Sequence, residues 1–264
     1  MTDPQTWHYG VIAEWWAQFN TDGPEIEYFG RFVESGQPAL DAGCGTGRLL
    51  LPWLRAGFDV DGCDVSGDMV ALARERARRE DVRPTLFVQP LHELAPARRY
   101  RTVVVCGVFG LGTTRAQDER ALVRLHDALE ADGTLLLDNQ APYFYGKRWR
   151  QWTPEERRLL PEPWPPPGER RRAADGSEYR LRSRAVDVDP LDQRIALEML
   201  AEKWVDDHEV ASETHAITIR MYFRDELVMM LERAGFTEID VSGGYTDAEP
   251  TPDDEYLVFS ARRR

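Results

Sequence analysis

The chain has 264 residues, 42% of them hydrophobic and 30% charged, with a formal net charge of −13 at neutral pH. That length supports one large α/β domain, or one domain with a sizeable insertion, and the balance excludes a disordered chain. The acidic excess argues against a nucleic-acid partner, whose phosphates ask for a basic face; Arg170-Arg171-Arg172 and Arg262-Arg263-Arg264 read as solvated surface.

Met1-Thr-Asp-Pro-Gln5 lacks the basic and apolar regions of a secretion signal, and no apolar run nears the roughly 20 residues that cross a bilayer, so no membrane partner is expected. Residues 8–20 predict an aromatic-rich helix carrying Tyr9, Trp15, Trp16 and Phe19. Short apolar runs then alternate with helical patterns, the rhythm of βαβ units and a mostly parallel sheet. Strands are predicted over 38–42, 59–64, 83–89, 102–107 and 134–138, with helices over 48–56, 67–80 and 116–130. Asp132-Gly133 is the expected stop of the last helix. Residues 141–176 break the rhythm, and Pro161-Glu-Pro-Trp-Pro-Pro-Pro167 can continue neither a helix nor a central strand. Three alternating segments at about 178–188, 194–204 and 212–223, with turn residues at Asp189-Pro190 and Asp206-Asp207, predict an antiparallel meander. A helix over 224–234 ends at Gly235, and strands near 236–242 and 255–261 close the chain. Cys44, Cys63 and Cys106 fall in apolar segments without disulfide or zinc spacing, which points to a reduced cytoplasm and no metal.

The chemistry gathers where the first strand meets its helix, at Asp41-Ala-Gly43-Cys-Gly45-Thr-Gly47. Glycines there permit a tight turn and close backbone approach to a ligand at a helix N-terminus. A dinucleotide fingerprint would need glycine or alanine at position 48, which is Arg, so the spacing counts against NAD(P) or FAD. Asp64, ending the second strand, is placed to accept ribose hydroxyls. With Asp64-Val-Ser66-Gly-Asp-Met69 matching a D-x-S-x-x-M pattern and Asp41–Gly47 matching D-x-G-x-G-x-G, the chain resembles the class I methyltransferases that use S-adenosylmethionine (SAM). The resemblance covers about residues 8–140 and the C-terminal strands.

That resemblance implies an α/β fold: a Rossmann-like, seven-stranded, mostly parallel sheet flanked by helices, with an antiparallel β insertion after the fifth strand. It divides the chain into a SAM-binding methyltransferase domain (1–140 and 224–264) and an inserted lid or substrate subdomain (141–223). It implies that Gly43, Gly45 and Gly47 line the methionine part of SAM, that Asp41 holds its amino group and Asp64 its ribose diol, and that Met69 packs on adenine beside Val65. Tyr9, Ala13 and Trp16 match the family's N-terminal helix that caps the cofactor; core packing is the alternative. Where the family often has an adenine-binding acid, this chain has Val88-Gln89-Pro90-Leu91-His92-Glu93, so the Gln89 side-chain oxygen, or backbone near Pro90 and Leu91, is the expected substitute. Cys106, on the fourth strand, completes the expected cofactor site.

Acceptor sites in open α/β sheets lie outside the C-terminal strand ends. That edge carries Phe109, Asp138, Asn139 and Tyr143, and the insertion adds the aromatics Tyr145, Trp149, Trp152 and Trp164. These wall a substrate pocket or form the insertion's own small core. Arg220 and Tyr222 alternate with His215, Ile217, Ile219 and Met221 on the last meander segment. His215 is the candidate general base, against a half-buried structural histidine. The position after the fourth strand lacks the N/D-P-P-Y/F/W motif of DNA amino-methyltransferases. The layout is similar to that of small-molecule N- and O-methyltransferases, including amino-sugar N-methyltransferases. The reading is an enzyme that moves a methyl group from SAM to a nitrogen or oxygen of a small molecule, leaving S-adenosylhomocysteine (SAH). Two rivals stay open: a protein or nucleic-acid methyltransferase, and a SAM-binding regulatory protein whose acceptor space is filled by Trp149 or Trp152.

Overall fold

A computed structural model describes residues 6–264; Met1–Gln5 and the signal reading made on them lie outside the described residues. In chain order the elements are α1 (Gly10–Phe19), α2 (Glu25–Ser35), β1 (Ala39–Ala42), α3 (Leu50–Arg55), β2 (Val60–Asp64), α4 (Gly67–Arg79), β3 (Leu86–Val88), a 3-10 turn (Leu91–Glu93), β4 (Tyr100–Val105), α5 (Arg115–Ala128) and β5 (Leu129–Gln140). There follow α6 (Gly146–Arg150), α7 (Pro154–Arg157), β6 (Arg171–Arg172), β7 (Glu178–Asp189), β8 (Arg194–Val205), β9 (His208–Arg220), α8 (Arg224–Arg233), β10 (Phe236–Gly243) and β11 (Tyr256–Arg263).

Seven strands form one sheet in the order β10-β11-β5-β4-β1-β2-β3. β1 through β5 run parallel, while β11 inserts antiparallel between β5 and β10. Strand order reverses between β1 and β4, and the crevice above that reversal is where such sheets take ligands. β1 and β2 are buried at every residue because helices cover both faces. On one face α5 and α8 bring Leu122, Leu125, Leu227 and Leu231 against Val103, Leu135 and Phe259. On the other, α2, α3 and α4 bring Phe29, Val33, Leu50, Trp53 and Val70 against Val60, Val104 and Leu136.

The meander is present as β7, β8 and β9, joined by β6 into a separate four-stranded antiparallel sheet. Its apolar face packs on α1: Val11 and Ile12 share a core with Ile195, Leu197, Met199 and Ile217. The first helix is thereby clamped between this sheet and α4.

Several boundaries differ from expectation. The predicted helix over 116–130 ends at Ala128, ahead of the Asp132-Gly133 turn, because Leu129 already pairs with Tyr100 as the start of β5. Helix α2 was not anticipated, although Tyr28, Phe29 and Val33 set an apolar stripe at helical spacing that the structure buries. The proline-rich stretch carries the short α6 and α7 before its loop. Among the described residues no helix is long and apolar enough to cross a membrane.

Candidate active site

β1 ends in Asp41, and the chain then turns through Gly43, Gly45 and Gly47 at φ of +98°, +52° and +87°. Only glycine takes these conformations without strain. Space imposes the same choice at Gly43, where a Cβ would lie 2.5 Å from Cγ2 of Val108. The turn is pinned to β2: Gly43 and Cys44 both donate to the Cys63 carbonyl at 2.8 Å. Gly45 donates to Asp64 Oδ2 at 2.9 Å, and Ser66 donates its backbone N–H to Oδ1 at 2.8 Å. Ser66 also caps α4 by accepting from Met69. One short segment thus orients Asp64, Met69 and the glycine turn together.

The resulting cavity is lined by Asp41, Gly43, Gly45, Asp64, Met69 and Cys106, with Trp16 on its far wall. Val65, Gln89, Pro90 and Leu91 line an adjoining cavity that shares Gly43 and Asp64 with the first. Asp41 is 1% exposed, and its Oδ2 has no protein partner. Burial, with Asp64 close by, raises its carboxyl to about 7. Burial likewise lifts the Asp64 carboxyl, against the pull of the Ser66 and Gly45 amides. Arg48 lines the same cavity, pairs with buried Glu25 of α2, and lies 3.8 Å from Cys106 Sγ.

The N-terminal segment forms another wall through Trp7 and His8. Gly10 donates to Asp68 at 2.8 Å, Val11 donates to Glu213 at 3.0 Å, and Ser66 donates its hydroxyl proton to the His8 carbonyl. His8 Nε2 accepts from the Trp7 indole at 3.0 Å. Burial, then the neighbouring His215, lowers the His8 imidazole to about 4, so His8 is neutral at physiological pH.

A third cavity opens between the C-terminal ends of β4 and β5 and the strands β8 and β9. Phe109, Asp138, Asn139 and Arg220 line it, with Tyr145, Arg148 and Tyr256. It shares Gly107, Val108 and Leu111 with the first cavity. Asp138 stands beside this junction, its Oδ1 accepting from the Gly107 N–H at 2.6 Å. Its Oδ2 accepts from Cys106 Sγ at 3.1 Å and from the Tyr245 hydroxyl at 2.7 Å.

Other candidates lie elsewhere. Gly47 lines neither of the first two cavities; it backs against Leu51 and serves the turn. Tyr9 precedes α1 and stacks on His215 rather than lining either cavity. His215 lines none of the three cavities: its Nδ1 bonds the Trp7 carbonyl at 2.8 Å and its Nε2 meets Glu213 at 3.1 Å. With both ring nitrogens committed, it has none to offer an acceptor. Gln89 does line the adjoining cavity, and its side-chain oxygen accepts from the Ala95 amide at 3.0 Å, which ties the loop after β3 and leaves that oxygen one further lone pair. Tyr222 is 1% exposed and donates to Asp118 inside the core. Trp149 and Trp152 pack on each other and on Phe223, outside the third cavity, and Tyr143 faces solvent. Sequence reasoning missed His8, Arg48, Val108, Tyr245 and Tyr256, none of which belongs to a local motif.

The donor set fits SAM. That molecule presents an ammonium, a carboxylate, a ribose diol and an apolar adenine face. The cavity answers with the unpartnered Asp41 oxygen, the Arg48 guanidinium, the Asp64 carboxylate and the side chains of Met69 and Val65. Residues 39–133, which span β1 to the start of β5, match the methyltransferase domain family. A protein of Geobacillus sp. strain WCH70 named as a methyltransferase is 23% identical over 97% of this chain and 99% of its own length. Among solved structures, a SAM-dependent methyltransferase from Clostridium acetobutylicum superposes with a TM-score of 0.72 at 13% identity, covering 95% of this chain and 96% of that one. A SAM-bound amino pentose methyltransferase from Micromonospora echinaspora gives 0.62 at 20% identity, over 97% and 98% of the two chains. The domain match falls on the very strands and turn that build the SAM-fitting cavity, and it identifies residues 39–133 as a methyltransferase domain.

Proposed function

We propose that this enzyme transfers a methyl group from SAM to a nitrogen or oxygen of a small-molecule acceptor. The observation that carries the reading is the third cavity, which meets the first at Gly107 and Val108 and is roofed by Ile195 and Ile219 of the inserted sheet. Trp149 and Trp152 lie outside it, which speaks against a filled, non-catalytic acceptor space. The structurally similar amino pentose methyltransferase is named for a sugar acceptor, which favours a small polar molecule here too.

In this reading, residues 141–223 are the inserted lid, and 1–140 with 224–264 the methyltransferase domain. Asp41 holds the cofactor's ammonium, Arg48 its carboxylate and Asp64 its ribose diol, while Met69 and Val65 pack on adenine. Bound SAM supplies an electrophilic methyl group, so the chain's own work is placement. Holding the acceptor in line converts a bimolecular encounter into a unimolecular one. Trp7, His8 and Trp16 exclude water from the cofactor side. His215 steadies the N-terminal segment instead of moving a proton. The buried cysteines, all unpaired, accord with a reducing cytoplasm.

Calorimetric titration with SAM and SAH, followed by assay of SAH release over panels of small amines and hydroxyl compounds, tests the reading. Micromolar binding with turnover on one of these panels is expected. Methylation confined to proteins or nucleic acids would overturn it.

A further inference from the structure

We propose that Asp138 draws an amine acceptor to the point of methyl transfer and takes its proton. The inference rests on the small-molecule reading and narrows it to nitrogen. Asp138 is 2% exposed and lines the acceptor cavity, and its bonds to Cys106 and Gly107 fix it where that cavity meets the cofactor site. Oδ1 accepts only the Gly107 amide, and a carboxylate oxygen has room for a second donor.

Asp138 is the carboxylate of this lining; Arg148 and Arg220 share the lining, and Arg48 acts on it from the cofactor side, where Glu25 pairs that guanidinium. Arg220 is neutralised by Asp192 at 2.9 and 3.1 Å, and Arg148 sits over the Tyr145 ring at 5.5 Å. The rest of the cavity wall carries the aromatic side chains of Phe109, Tyr145 and Tyr256 among the apolar Val108, Leu111, Ile195 and Ile219. A carboxylate among aromatic faces suits an ammonium and repels a carboxylate or phenolate acceptor. Burial also holds the Asp138 carboxyl above its ordinary range, which improves it as a proton acceptor near neutrality.

The step balances. A protonated amine gives one proton to the Asp138 carboxylate; its freed lone pair forms the nitrogen–carbon bond as the carbon–sulfur bond breaks, with that electron pair staying on sulfur. The product leaves as a methylammonium, and Asp138 returns its proton to solvent, so one proton is released per methyl transferred.

Sinefungin, which carries an amine where SAM carries its transferable methyl, is the probe, with SAH, whose thioether is neutral at that position, as the reference. Wild type should bind sinefungin at least about tenfold tighter than SAH, and Asp138→Asn should lose that preference while keeping SAH affinity, which also reports an intact fold. Equal binding of the two by wild type, or an undiminished preference in Asp138→Asn, would overturn the assignment. Should Asp138→Asn fail to bind SAH, Tyr245→Phe carries the test. Freeing Oδ2 of one donor should strengthen sinefungin severalfold over SAH, and an unchanged ratio would overturn the proposal. Turnover on hydroxyl compounds alone would overturn the amine assignment and leave the small-molecule reading intact. A sinefungin preference with methylation only of protein amines would support Asp138 and remove that reading.

Discussion

The Tyr9 and His215 rings stack with centroids 3.7 Å apart and planes 15° from parallel, joining the N-terminal segment to the last strand of the inserted sheet. His215 also bonds the Trp7 carbonyl, so one side chain ties down the wall of the cofactor cavity from two directions. A ring so placed acts on the cofactor end of the site through Trp7 and His8, not on the acceptor.

The expected result for His215→Ala is therefore weaker SAH binding, by about five- to tenfold, with a loss of about 1–3 kcal/mol of stability from the unpaired Trp7 carbonyl. The pH profile of kcat at saturating SAM should keep its shape. Unchanged SAH affinity with a collapsed alkaline plateau in kcat would instead make His215 a base.

What the sequence disclosed, and what it hid, follows from range. Asp41–Gly47 and Asp64–Met69 were legible because each is a single strand-to-helix turn whose backbone needs and ligand contacts lie within a few residues. The three meander strands were legible from their period of two and their Asp-rich turns. Arg48 was read only as the wrong residue for a dinucleotide site, since its pairing with Glu25 depends on α2 crossing above it. Tyr245 and Asp138 meet because β11 inserts between β5 and β10, a pairing no local pattern announces. Tyr222 misled because alternation placed it beside Arg220. After β9 ends at Arg220, its hydroxyl turns into the α5 core to meet Asp118.

With Asp41 in its proposed role at the cofactor's ammonium, the enzyme's stability and its cofactor affinity should respond oppositely to pH. Its carboxyl rises from an ordinary 3.8 to about 7 in the folded chain, so the folded state holds a proton that the unfolded state has lost. That contribution to stability is complete below pH about 4 and is lost as pH rises through about 7. A bound ammonium reverses the preference by favouring the ionised form. The thermal shift produced by SAH should grow from pH 6 to pH 8, roughly, and Asp41→Asn should flatten the trend. A shift that shrinks over that range in wild type would remove Asp41 from the ammonium site.

Gly43 combines a positive φ with a wall contact, so Gly43→Ala strains the backbone and drives a methyl group into Val108. A cost of about 1–3 kcal/mol in stability is expected. Val108 lines both the cofactor and the acceptor cavities, so turnover should fall more steeply than SAH affinity. Calorimetry beside steady-state kinetics separates the two. Equal losses would mean the turn matters only to the cofactor.

The two ends of the cofactor cavity can be separated with 5′-methylthioadenosine, which keeps the adenine and ribose of SAM but lacks the ammonium and carboxylate. Asp64 lines both cavities, while Asp41 and Arg48, the proposed partners of the ammonium and carboxylate, line only the first. Asp64→Ala should weaken SAH and methylthioadenosine alike, by about 1–3 kcal/mol or roughly five- to 150-fold. Arg48→Gln and Asp41→Asn should weaken SAH by a similar factor and leave methylthioadenosine within about twofold. Arg48→Gln also leaves buried Glu25 unpaired, so its thermal stability should drop even without ligand. If Arg48→Gln cost both ligands equally, Arg48 would be a strut for α2 alone, and the cofactor carboxylate would need another partner.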